Sequence, residues 1–110
     1  MIKEYEPFDN AEQVWFWFCG CLIAQEDGCL RARQNYTGKI RKCEVSDIYR
    51  IIKILHQNHQ ISNRQLRVMM KWGQAETSPY YDYRAKRSEI RLWDDGIKKL
   101  ETTLVSKGIL

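Results

Sequence analysis

The chain has 110 residues, 44% hydrophobic and 12% aromatic, with 29% charged residues and two prolines, a composition that supports one hydrophobic core and excludes extended disorder. Its long apolar run, residues 14–24, has eleven members, short of the roughly 20 a bilayer span takes, and predicts a buried helix with no membrane partner. The formal charge of +4 conceals a division: residues 1–30 carry six acids against one base, a net of −5, and residues 31–110 carry seventeen bases against eight acids, a net of +9.

That division suits a polyanion partner, and it equally suits an ordinary solvated surface. Glu4, Glu6 and Asp9 stand where an export signal would carry lysine or arginine, so a cytoplasmic protein with reduced thiols is expected. Hydrophobic periodicity predicts an all-α domain over residues 1–110, a small bundle of about four helices with a helix-turn-helix-like pair.

The first helix is predicted over 10–25. Asp9 with Glu12 three residues later makes a capping-box-like start, and Gly28 is a stop signal. Val14-Trp15-Phe16-Trp17-Phe18 is apolar all round, as in a helix buried on more than one side. The run holds more aromatic bulk than a domain of this size need hide, which suits an interface with a protein partner or a second copy. Between Cys29 and Cys43 no period is seen; Arg31, Arg33, Lys39, Arg41 and Lys42, with Tyr36 and Gly38 among them, form a basic loop free of acids.

The second helix is predicted over 46–57, capped by Ser46 with Asp47 at the positive end of the dipole; Ile48, Ile51, Ile52 and Leu55 recur at i, i+3, i+4, i+7. The third is predicted over 63–72, with Ser62 and Gln65 as a capping box, Leu66, Met69 and Met70 inward, and Gly73 as terminator. A connection this short predicts that the second and third helices are packed neighbours. After a loop over 74–82, the fourth is predicted over 83–106 and ended by Gly108. Its seam is Ile90, Trp93, Ile97, Leu100 and Leu104, and Gly96 inside it marks a bend or a close contact.

Four cysteines follow the spacing C-x-C-x7-C-x13-C at Cys19, Cys21, Cys29 and Cys43. Cys19 and Cys21 point about 200° apart on one helix, so buried thiols are expected in place of a metal site. His56 and His59 flank a helix end without an acidic partner placed by sequence, and no phosphate loop or nucleophile elbow occurs. No enzyme activity and no cofactor are expected.

The basic residues carry the functional expectation. Arg64, Arg67 and Lys71 recur at i, i+3, i+7 on the third helix, and Arg84, Arg87 and Arg91 repeat that spacing on the fourth, with Lys86 beside them. Cations so arranged can displace counterions from phosphates, and arginine can fork onto guanine edges. The competing reading pairs Arg84, Arg87 and Arg91 with Glu89, Asp94 or Asp95. One continuous basic face would favour duplex DNA; scattered, paired arginines would favour a plain surface.

Two resemblances bear on this. The second helix, the turn at Ile61-Ser62, then Leu66 and Gly73, with Ile97-Lys98-Lys99-Leu100-Glu101 through Gly108-Ile109-Leu110, resemble winged-helix DNA-binding domains over residues 46–110. This implies a DNA-binding helix-turn-helix module, although Asn58 and His59 stand in place of the usual turn glycine. The stretches at residues 8–17 and 43–49, and Leu92-Trp93 through Lys107-Gly108-Ile109, are similar to a group of short uncharacterised alphaproteobacterial proteins, which implies a bacterial cytosolic protein and nothing about its sites.

Overall fold

The computed structural model describes residues 8–26 and 43–110. Within them are α1 (Ala11–Glu26), α2 (Val45–Gln57), α3 (Asn63–Gln74), a 3-10 turn (Pro79–Tyr81) and α4 (Arg87–Ser106), with no strand among the described residues. The expected all-α bundle of about four helices is what forms. Gly28 and the segment from Cys29 to Lys42 lie outside the described residues.

The cap of α1 forms one residue later than predicted. Asn10 Oδ1 accepts the Gln13 amide at 2.8 Å, and Gln13 Oε1 accepts the Asp9 amide at 2.6 Å. Glu12 turns to α4 instead and accepts from Trp93 Nε1 at 3.3 Å. The helix is central, packing on α2, α3 and α4, and this accounts for its all-round apolarity. Trp15 and Phe18 are buried, Phe16 stacks on Trp93 with centroids 5.7 Å apart, and Trp17 meets Phe8 at 5.4 Å. Phe16 and Trp17 are partly buried and pack against this core.

α2 buries Ile48, Ile51, Ile52 and Leu55 as the periodicity predicts. Its cap is Glu44, not Ser46: Asp47 Oδ2 accepts the Glu44 amide at 2.8 Å. In the turn that follows, His59 adopts φ 60°, the left-handed conformation that a glycine would take without strain. Lys99 Nζ of α4 donates to the Gln60 carbonyl and so holds this turn against α4.

α3 starts as expected, with Ser62 Oγ accepting the Gln65 amide at 3.1 Å. The Gln65 side chain does not return to the cap; buried, it donates to the Leu92 carbonyl and Asp95 Oδ2 of α4. The inward face is Gln65, Met69, Trp72 and Gly73, rotated from the expected Leu66/Met69/Met70 set, of which Leu66 and Met70 are only half-buried. The principal partners of α3 are α4 and α1 rather than α2, so the two helices flanking the turn are not the packed neighbours that the short connection predicts.

Gly73 does not end α3. The helix runs through it to Gln74, and Glu76, at φ 57°, makes the left-handed turn. Gly73 lies where α1 approaches: a Cβ there would stand 2.5 Å from Cys19 Sγ and 2.7 Å from Trp15 Nε1. Trp15 Nε1 donates to the Met69 carbonyl at 2.8 Å across the same contact. Gly96 plays the equivalent part on α4, where a Cβ would stand 2.6 Å from Met69 Sδ. Of its two expected roles it is the close contact. α4 begins at Arg87, four residues later than predicted, and buries Trp93, Gly96, Ile97, Leu100 and Leu104, with Ile90 half-buried. Gly108 closes it at φ 75°.

Candidate nucleic-acid interface

α3 and α4 run antiparallel, since Gln65 reaches Leu92 and Asp95 while Lys71 and Trp72 reach Glu89. Together they make a layer whose inner side rests on α1. At about 100° per residue, Arg64, Arg67 and Lys71 fall within an arc of roughly 60° on α3, turned away from Gly73 and α1. By the same projection Arg91 lies within about 30° of the outward direction of α4, with Arg87 further round its flank. Arg64, Arg67, Lys71, Arg87 and Arg91 are all exposed.

The charges on this layer divide into those with partners and those without. Lys71 Nζ meets Glu89 Oε2 at 2.8 Å and sits over the Trp72 ring at 5.1 Å. Trp72 Nε1 donates to the same carboxylate oxygen at 3.1 Å. These contacts, the Lys71 hydrogen bond foremost, hold the Glu89 carboxyl below its ordinary range against the opposing effect of burial. Asp95 accepts from Gln65 and from Lys99, and both lower it. Among the described residues Arg64, Arg67, Arg87 and Arg91 enter no ion pair.

Arg84 departs from the expected set. It lies in the turn before α4, so the i, i+3, i+7 repeat of Arg84, Arg87 and Arg91 does not exist on one helix. Asp82 engages its Nε at 3.1 Å, its Nη2 at 2.9 Å and its backbone amide at 2.9 Å. The guanidinium holds the Asp82 carboxyl below its ordinary range. Arg31, Arg33, Lys39, Arg41 and Lys42 lie outside the described residues.

Beside the arginines, the exposed side of α3 carries an open groove of about 590 Å³ lined by Asn63, Leu66, Arg67, Met70, Lys71 and Gln74. Leu66 and Met70, read from sequence as core, are its apolar floor. The loop that joins α3 to α4 is a feature the residue pattern did not single out: Tyr80, Tyr81 and Tyr83 are 70%, 82% and 96% exposed. The signal available in the sequence was three tyrosines within four positions.

His56 Nε2 shares a short hydrogen bond with Asn63 Oδ1, bracing the turn, and no cluster of three metal-ligating side chains occurs among the described residues. Cys19, Cys21 and Cys43 are buried, and burial pushes the Cys19 thiol up to about 12. No described helix is long and apolar enough to cross a membrane. Comparison with family models, curated proteins and solved structures finds no match.

Proposed function

We propose that the outward surface of the α3–α4 layer binds the phosphate backbone of duplex DNA, with Arg64, Arg67, Arg91 and Arg87 as the contacting cations. The observation that carries this reading is a grouping of unpaired arginines. Lys71, Arg84 and Lys99 are neutralised by carboxylates, whereas these four guanidinium groups are exposed without one on two adjacent helices. Arg50, Lys53, Lys86, Lys98 and Lys107 are likewise exposed and unpaired among the described residues, so it is the grouping of the four on α3 and α4 that carries the reading. Phosphate oxygens would supply the missing acceptors, and arginine's planar fork matches them. The order α2, turn, α3 along the chain matches that of a helix-turn-helix module, although α3 packs on α4 and α1 rather than on α2. A cytoplasmic setting suits the buried thiols of Cys19 and Cys21.

Four phosphate contacts predict that log affinity falls with log salt at a slope of about −3.6, a loss of roughly 150-fold between 50 and 200 mM. Fluorescence polarisation with a labelled duplex measures it, and replacing Arg64 and Arg67 with alanine lowers the slope by about one each. Absence of binding at low salt overturns the reading.

A second reading, a homodimer or a protein partner, is favoured by α2. Tyr49 and Ile54 are exposed on it, and Ile51, Ile54 and Ile109 line a groove of about 410 Å³ between α2 and the chain's end. It predicts a dimer by light scattering that Ile54→Lys converts to monomer. A wild-type protein that stays monomeric at high micromolar concentration excludes the homodimer.

A further inference from the structure

We infer that the loop between α3 and α4 is a stacking platform for the unpaired bases of a single-stranded nucleic acid, with Tyr81 and Tyr83 as the stacking rings. The inference rests on the reading of this chain as a nucleic-acid binder and extends it from the phosphates to the bases.

Three large aromatic side chains exposed side by side require an explanation, because single exposed apolar groups are ordinary whereas clustered ones mark contact surfaces. Looseness of the loop is not that explanation. Ser78 and Pro79 are buried, and Ser78 Oγ accepts the Tyr80 amide at 3.3 Å. The Tyr81 and Asp82 amides donate to the Ser78 and Pro79 carbonyls, and Ala85 to that of Asp82. The bidentate Asp82–Arg84 contact closes the turn from the other side. The backbone is thus tied at both ends of the tyrosine run, while the rings of Tyr81 and Tyr83 stand in solvent. Tyr80 and Tyr81 meet edge to face at 5.8 Å, which fixes their relative orientation.

Charge identifies the occupant. The loop is reached from the Lys71 end of α3, and it leads through Arg84, Lys86 and Arg87 into α4. Lys86 and Arg87 are exposed and without an ion pair among the described residues. The tyrosines are followed in the chain by these unpaired cations, while Asp82 among them is taken up by Arg84. Flat rings next to free cations match a polymer whose phosphates are anionic and whose bases offer flat faces, the combination used to hold single strands without reading sequence. A paired duplex hides those faces in its own stack, so the tyrosines contribute only where bases are unpaired.

The test uses the whole chain and three labelled probes: a thymidine 15-mer, a uridine 15-mer and a 15-base-pair duplex. Stacking is expected to make the double variant Tyr81→Ala/Tyr83→Ala lose about tenfold in single-strand affinity per ring, with duplex affinity almost unchanged. Tyr81→Phe/Tyr83→Phe is expected to retain single-strand binding, because the ring and not the hydroxyl stacks. Loss on the thymidine probe alone assigns DNA and loss on the uridine probe alone assigns RNA; either supports the platform.

Unchanged single-strand affinity in the alanine variant overturns the inference, as does an equal loss in the phenylalanine variant. A wild-type self-association that the alanine variant abolishes without touching oligonucleotide affinity gives the loop to a protein partner and also overturns it. Arg64→Ala/Arg67→Ala separates the two claims. Duplex binding lost there but single-strand binding indifferent to the tyrosines defeats the platform alone. Tyrosine-dependent single-strand binding without any duplex binding defeats the duplex reading alone. Thermal melts of each variant confirm the fold, which substitution at exposed positions leaves intact.

Discussion

At the scale of single residues, Gly73 does what no other side chain could do at its place. Its missing Cβ lets α3 meet Cys19 and the indole of Trp15, and that indole is locked by its bond to the Met69 carbonyl. Replacing Gly73 with alanine gains about 1 kcal/mol of helix propensity, and the overpacking it causes costs about 1–3 kcal/mol. The expected outcome of Gly73→Ala is a net loss of about 1 kcal/mol in chemical denaturation. At Gly96 the hard contact is with the thioether of Met69, with Gln65 Cγ and Met69 Cγ further off at 3.3 Å. The thioether can turn aside, so Gly96→Ala is expected to lose less than Gly73→Ala. Equal losses in both variants would refute this difference. The tryptophans follow a related logic: Trp15, Trp72 and Trp93 each donate the indole N–H to another helix, so each ring both fills the core and sets a register.

At the scale of elements, the pair Lys71–Glu89 straps the end of α3 to the first turn of α4. Folding holds Glu89 below its ordinary value, with the Lys71 hydrogen bond as the leading cause. The folded state therefore binds fewer protons here than the unfolded chain. This contribution is complete above the unfolded carboxylate range, about pH 4.3, and is lost as pH falls through the lowered folded value. Glu89→Gln is accordingly expected to lower the melting temperature at pH 7 by about 3 °C, with an effect that shrinks as pH falls through the lowered folded value. Thermal melts from pH 3 to 7 measure it, and an equal effect at both ends would sink the assignment. The strap was not legible in the sequence, because its partners are eighteen residues apart. What was legible is what local periodicity determines: the buried stripe of α2, four of the five seam residues of α4 and the arginine arc of α3. Gly73 and Arg84 misled for one reason. A glycine and an arginine each serve two purposes, and only tertiary neighbours decide between them.

At the scale of the whole molecule, much of the acidic-to-basic division near residue 30 falls outside the described residues, and what the described residues lay out is the packing of the helices. α1 is the hub against which α3 and α4 are laid, so the arginines of that layer face away from the aromatic core. The tertiary organisation of this surface was not readable in advance, since which cations keep their charge uncompensated depends on carboxylates brought in from other elements. The contacts at Gly73 and Gly96 carry one more consequence. Helices that meet through missing side chains cannot slide past one another without a collision, so the register between α1, α3 and α4 is fixed before any ligand arrives. Arg64 and Arg67 are then offered at a set rise of about 4.5 Å along a stationary axis. If the layer binds phosphates as proposed, only their side-chain rotamers would remain to be ordered, and the association entropy penalty would be confined to a few torsions.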